Sequence, residues 1–273
     1  MLLLLATKAL IASALLAVAA IVEHKFGAAV GGWLLGLPLT SGPVSFFLLT
    51  EHGPRFAENA ARGMLLGLVG AGVFVAGYSL AARGRSWWRS LLLAALVSLC
   101  VTFALLQVSL GLGMTLALAA VVLGIVAVVA EAPKRVATAP TAARPTSKRG
   151  LVLRMLVASS VVVGVSLAST VLGSVVSGML ATVPAITAIM AVSTHRSAGK
   201  DSARNLLRGS VAGMLAGAVF FAVVALLVMS KTPGTTYLAA ALAAAAVAAL
   251  SGRIAARTSE SRTAHPAAVA QRA

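Results

Sequence analysis

Charged residues are scarce in this 273-residue chain and make up only 10% of it. A soluble domain carries about 25% charged residues and about 45–50% apolar residues. Here 60% of the residues are hydrophobic, and the mean hydropathy is +1.01. This apolar excess is too large for a soluble core, so the composition predicts a membrane protein.

Acidic residues are especially few, and all of them lie near the ends of apolar segments or in polar stretches. An ionisable group in the middle of a span is the usual mark of a proton or sodium relay, and the sequence has none. Walker sequences, His-Glu-x-x-His motifs and acidic pairs are missing as well. We therefore expect neither an enzyme nor a bound cofactor or metal. The six acidic residues are Glu23, Glu51, Glu58, Glu131, Asp201 and Glu260.

Cysteine occurs once, as Cys100, inside an apolar run. A single cysteine excludes an intrachain disulfide and a metal site made of several thiolates. We expect Cys100 to be a small buried hydrophobic residue.

Nine apolar segments approach the ~20 residues that a membrane span needs. The stretch from 90 to 131 is too long for one crossing, and Gly111-Leu112-Gly113 is its natural turn. The sequence therefore predicts an all-α polytopic membrane protein of about nine transmembrane helices. The segments are residues 3–22, 28–50, 59–82, 90–108, 112–131, 152–171, 174–194, 206–230 and 236–252.

The basic residues predict the orientation, because Lys and Arg favour cytoplasmic loops. With the N-terminus outside, 18 of the 22 basic residues lie on the cytoplasmic side. The four that lie outside are Lys8, Arg55, Arg62 and Lys231. A net charge of +16 would indicate nucleic acid in a soluble protein. Here it records an N-terminus outside and a cytoplasmic C-terminus, and we expect no nucleic-acid partner.

An internal repeat is indicated by an ungapped register with an offset of 146 residues, which places Pro38 on Pro184 and Arg62 on Arg208. Equivalent loops carry opposite charge loads, as expected when the second copy enters the bilayer from the other side. The sequence thus predicts an inverted-topology repeat of four, one and four helices. Its parts are repeat 1 (1–108), a linking helix (109–131), a solvated cytoplasmic linker (132–150), repeat 2 (151–252) and a similarly solvated basic cytoplasmic tail (253–273).

The second span contains two prolines near its middle, Pro38 and Pro43. Proline lacks a backbone N–H and clashes with the preceding turn, so we expect this helix to be kinked or broken. The seventh span keeps one proline, Pro184, and its break should be milder. Paired interruptions in two inverted halves indicate a transporter site, although ordinary proline kinks would give the same pattern. The predicted substrate-binding residues are Gly36, Pro38, Thr40, Ser41, Gly42, Pro43, Thr182, Pro184 and Thr187.

Asn59 and Arg62 lie at the start of the third span, and Asn205 and Arg208 lie at the start of the eighth. Asparagine is a favourable N-cap, and an arginine three residues later can extend to the membrane interface. The functional alternative is a gating role, in which the two arginines attract an anion at opposite cavity entrances. Glu58 lies four residues before Arg62 and is a candidate ion-pair partner.

Glycines four residues apart on these same two spans favour close helix packing. They are Gly63 and Gly67 on the third span, and Gly209, Gly213 and Gly217 on the eighth.

The stretch from Gly36-Leu37-Pro38 through Phe46-Phe47, followed by Gly53 and Ala60-x-Arg62, resembles the GlpM-type family of small bacterial inner-membrane proteins. The resemblance covers roughly one repeat. It implies a bacterial inner-membrane location and little about chemistry.

These features predict a secondary transporter or permease for a small neutral or anionic solute, with a midplane site at the breaks of spans two and seven. The alternative is a non-transporting scaffold or assembly subunit, whose prolines and glycines serve packing alone. The expected partners are the lipid bilayer and the solute, and the hypothesis leaves room for a homodimer. A polar cavity that reaches Pro38 and Pro184 would favour transport.

Overall fold

The computed structural model describes residues 37–130 and 171–251 with their side chains, and residues 252–270 as helical backbone. Between 152 and 170 it describes individual helical residues, and Leu10 and Ala14 are described before residue 37. The predicted span 3–22 lies almost entirely outside the described residues. The first part of span 28–50 and the linker 132–150 lie outside them as well.

The described residues form eight complete helices, and none of these residues is in a strand. By length and composition, six described segments can cross a membrane: α2, α3, α4, α5 together with α6, α7, and residues 233–251 of α8. The all-α prediction is thus confirmed for this part of the chain. The helices are α1 (Ser41–His52), α2 (Pro54–Ala81), α3 (Trp87–Leu106), α4 (Leu112–Ala130), α5 (Ser174–Ala181), α6 (Ala185–Ala198), α7 (Lys200–Leu227) and α8 (Pro233–Ala270).

Helix α8 is longer than predicted, because it continues past its apolar part to Ala270. The expectation that the tail resembles the Pro-rich linker was therefore wrong for residues 253–270. Alanine and arginine are good helix formers, and extending a helix that has already formed costs little.

Helices α2 and α7 form the centre of the bundle and pack against each other. Helix α2 also contacts α5, α3 and α4, while α7 contacts α8, α6 and α4. The apolar part of α2 is 78% buried, whereas only 17% of α3 and 22% of α4 is buried. Helices α3 and α4 therefore form the outer wall, and in a bilayer their free faces contact lipid.

Cys100 lies on the exposed face of α3, so the prediction that it is buried was wrong. In a membrane protein the lipid-facing side chains are as apolar as the core. Apolar neighbours in the sequence therefore do not show which face of the helix is packed.

Helices that are 146 residues apart have matching bounds. Shifting α2 by 146 residues gives 200–227, the bounds of α7, and the same shift carries the start of α3 to residue 233, the start of α8. Gly53 and Gly199, also 146 apart, have φ values of 85° and 87°. They are the N-caps of α2 and α7, in a conformation that glycine adopts without steric cost. The offset seen in the sequence therefore recurs in the local structure.

Candidate functional site

Both proline-containing spans are interrupted where the sequence predicts. Helix α5 ends at Ala181 and α6 begins at Ala185, so residues 182–184 separate two half-helices. In the first copy residues 37–40 are non-helical and α1 begins at Ser41. Gly36, which we predicted to bind substrate, lies outside the described residues.

Pro38 and Pro184 make the same local turn. In each turn the N–H of the residue after the proline donates to the carbonyl of the residue before it, at 2.8 Å in both copies. Pro184 has φ −77° and ψ 44°, close to an inverse γ-turn, which a fixed proline φ favours. The donors and acceptors are Leu39 with Leu37, and Ala185 with Val183.

Pro43 does not break a helix, contrary to the prediction. It lies in the first turn of α1, where backbone N–H groups have no partner within the helix, so its missing donor costs nothing. Gly42 packs toward the Phe220 ring, to which a Cβ built on it would lie 3.6 Å away. Neither residue lines the cavity described next.

The two breaks meet at a cavity of about 70 Å³. This volume corresponds to roughly two molecules of liquid water. Four of the lining residues carry hydroxyls, and none of the fifteen is charged. The lining residues are Leu37, Pro38, Thr40, Ser41, Leu68, Ala71, Ala181, Thr182, Val183, Pro184, Ile186, Thr187, Met214, Gly217 and Phe221.

Twelve of the fifteen lining residues form six pairs that are 146 residues apart. The two breaks contribute four pairs, and the central helices α2 and α7 contribute two. Equivalent positions of the two copies therefore build most of the cavity wall. The pairs are Leu37 with Val183, Pro38 with Pro184, Thr40 with Ile186, Ser41 with Thr187, Leu68 with Met214, and Ala71 with Gly217.

The four hydroxyls differ in what they bind. Thr182 Oγ1 donates to the carbonyl of Met179 at 3.0 Å, which helps to end α5. The hydroxyls of Thr40, Ser41 and Thr187 have no hydrogen-bond partner in the part of the chain that the structure describes. Ser41 is 7% exposed and Thr187 is 4% exposed. These hydroxyls are therefore available to a ligand in the cavity.

Close packing of α2 against α5 holds the second break beside the central helix. A Cβ on Gly63 would overlap the carbonyl of Val175, and a Cβ on Gly178 would overlap the carbonyl of Ala60. A Cβ on Gly67 would overlap the hydroxyl of Thr182. The packing role predicted for Gly63 and Gly67 is thus confirmed.

Arg62 joins α2 to the loop between α3 and α4. Its guanidinium donates to Asn59 Oδ1 at 3.0 Å and to the carbonyl of Leu110. The predicted pairing with Glu58 is not among the ion pairs of the described residues. Because α2 already begins at Pro54, Asn59 lies inside the helix and is not its N-cap.

Asn205 and Arg208 lie on the exposed surface of α7, which begins at Lys200. Asn205 is therefore not an N-cap either. Neither these two residues nor Asn59 and Arg62 line the cavity. An entrance role for the two arginines stays a prediction.

Sequence reasoning missed the part of the cavity wall that the central helices supply. These residues carry no polar group, and apolar matches between two copies of an apolar chain are common by chance. The 146-residue register was the one signal that related four of them. The missed residues are Leu68, Ala71, Met214, Gly217 and Phe221.

No protein-family model, curated protein or solved structure matches this chain. The resemblance to GlpM-type proteins stays a prediction. Among the described residues no group of His, Cys, Asp and Glu side chains is placed to hold a metal ion.

Proposed function

We propose that this chain is a secondary transporter or permease whose solute site is the cavity between the two breaks. The observation that carries the proposal is that six pairs of residues 146 apart line one cavity at Pro38 and Pro184. Broken helices that meet between two halves are typical of secondary transporters. Irregular backbone at membrane depth is tolerated where it is buried in protein or lines a cavity.

The proposal includes nine spans in an inverted-topology repeat, with α4 as the linking span. The matching bounds of α2 and α7, and of their glycine N-caps, support this arrangement. With four spans in each copy and one between them, equivalent helices cross in opposite directions. Helices α1 and α6 then run from the cavity toward opposite faces of the membrane, as alternating access requires.

The proposed solute is small, and it is neutral or anionic. Pockets for drug-sized ligands measure about 300–1,000 Å³, whereas this cavity measures about 70 Å³. Its polar groups are hydroxyls and backbone groups, without a charged side chain. The proposed location is the inner membrane, as the resemblance to GlpM-type proteins implies.

Restoring a helical N–H at either break should impair transport. A growth or toxicity screen of a deletion strain across solutes identifies a transport phenotype, against which variants are then compared. Pro38→Ala and Pro184→Ala should each lower flux by about tenfold, equivalent to about 1.4 kcal/mol, because alanine lets the helix close over the cavity. The matched control is Gly111→Ala, which lies in a loop where an added Cβ meets nothing within 4 Å.

Equal effects of the three substitutions would remove the reason for placing the site at the breaks. The scaffold hypothesis makes a different prediction, in which the proline variants lower the amount of an assembled complex and no solute flux depends on the chain.

The orientation predicts which loop residues are accessible from outside the cell. In a Cys100→Ala background, a cysteine at Thr235 should react with an impermeant thiol reagent in intact cells. Cysteines at Ser86 and Ser261 should react only after the membrane is opened. Thr235 and Ser86 are exposed at the ends of α8 and α3, so access from solvent is not limited by packing. The reverse labelling pattern would overturn the orientation.

A further inference from the structure

We propose that the solute bound in this cavity is a small monovalent anion held between the N-termini of α1 and α6. This inference rests on the transport function proposed above and names its substrate class.

Two half-helices of ordinary length present their N-termini to the same cavity. Helix α1 has 12 residues and α6 has 14. Thr40 and Ser41 line the cavity at the start of α1, and Ile186 and Thr187 line it at the start of α6. The first turn of a helix has backbone N–H groups without an intrahelical partner, and these groups attract anions.

Neither N-terminus is capped. Thr40 and Pro184 hold the N-cap positions, and neither makes a side-chain hydrogen bond to its helix. The backbone N–H groups of the four residues at these helix starts donate no hydrogen bond within the described part of the chain. Four equivalent donors, two from each copy, are therefore available at the cavity.

Two buried hydroxyls independently indicate a ligand at this place. Ser41 and Thr187 are equivalent positions, and they are 7% and 4% exposed. Both line the cavity, and neither hydroxyl has a partner among the described residues. An unmade hydrogen bond at a buried hydroxyl costs about 1–3 kcal/mol, which a bound acceptor would recover.

The carbonyl end of α5 at the same cavity is already occupied. The N–H of Thr182 donates to the carbonyl of Met179 at 3.2 Å, and the N–H of Val183 donates to that of Leu180 at 3.3 Å. Thr182 Oγ1 adds a second bond to Met179. Carbonyl groups that would bind a cation are therefore engaged, whereas the donors that would bind an anion are free.

The charge and volume of the site indicate a monovalent ion of a few atoms. Each helix N-terminus is equivalent to roughly +0.5 elementary charge, so two of them match one negative charge. No Lys or Arg lines the cavity to balance a second charge. Chloride, nitrate and formate suit a volume of about 70 Å³.

Thermal melting of the purified full-length chain tests this inference. Sodium chloride, nitrate and formate are compared with sodium gluconate at equal ionic strength, and with glycerol as a neutral solute. We expect a saturable rise in melting temperature with the small anions alone. Ser41→Ala combined with Thr187→Ala should weaken their binding by about tenfold or more. Thr187→Ser, which keeps the hydroxyl, should bind about as the parent does.

The matched control is Ser230→Ala with Thr232→Ala, in the exposed loop before α8. An equal response to gluconate or glycerol would overturn the anion inference. Unchanged anion binding by the Ser41 and Thr187 double variant would overturn it as well.

Flux into liposomes separates this inference from the proposed function. If glycerol flux depends on the chain and on Pro38, while no small anion binds, transport stands and the anion inference fails. If a small anion binds and needs Ser41 and Thr187, while no solute crosses, the anion site stands and transport fails.

Discussion

Gly63→Leu is expected to destabilise the folded chain by about 3 kcal/mol, the upper end of the usual cost of overpacking. A Cβ at this position would overlap the backbone carbonyl of Val175. A backbone group cannot rotate away as a side chain can, so α2 and α5 would have to separate. Thermal melting in detergent, together with the yield of monodisperse protein, measures the effect.

The control for this substitution is Gly124→Leu on the exposed face of α4, where an added Cβ meets nothing within 4 Å. It should change stability by less than about 0.5 kcal/mol. Gly178→Leu approaches the same contact from α5 and should be as damaging as Gly63→Leu, because its Cβ would overlap Ala60. Similar melting of the Gly63 and Gly124 variants would contradict the close approach of α2 and α5.

Ala71→Leu should abolish most of the flux through the protein while leaving it folded. Ala71 is 2% exposed and lines the cavity. Leucine would add three carbon atoms to a space of about 70 Å³, which leaves little room for a solute. We expect flux to fall by about tenfold or more, equivalent to at least about 1.4 kcal/mol. Gly217→Leu, at the equivalent position of α7, should have the same effect.

Ala120→Leu is the matched substitution on the exposed face of α4, and flux through this variant should equal that of the parent. Melting curves of all three variants show whether a loss of flux reflects unfolding. A folded Ala71→Leu variant with parental flux would mean that the solute does not pass through this cavity.

The helices themselves were largely predictable from the sequence. The segment 59–82 corresponds to α2 at Pro54–Ala81, and 112–131 corresponds to α4 at Leu112–Ala130. Helix α2 begins five residues before the apolar segment, because Gly53 and Pro54 start a helix among polar residues. Hydropathy detects the part of a helix that can lie in lipid, and a turn that extends into the interface escapes it.

The breaks were predictable, but their partners were not. Pro38 and Pro184 interrupt their helices as their missing N–H groups require. Pro43 has the same chemistry, yet it is harmless in a first turn, and only the position of the helix start shows this. Arg62 likewise binds the carbonyl of Leu110, which is distant in sequence, rather than the nearby Glu58.

The scarcity of charge and the backbone chemistry of proline and glycine are local properties, and the sequence alone determined their consequences. They include an all-helical membrane protein, two interrupted spans and a repeat offset of 146 residues. Only the tertiary structure decided that the two interruptions share one cavity, and that Leu68, Ala71 and Phe221 help to enclose it. The reason is physical: in lipid the outer and inner faces of a helix are equally apolar, so hydrophobicity does not select the packed neighbours.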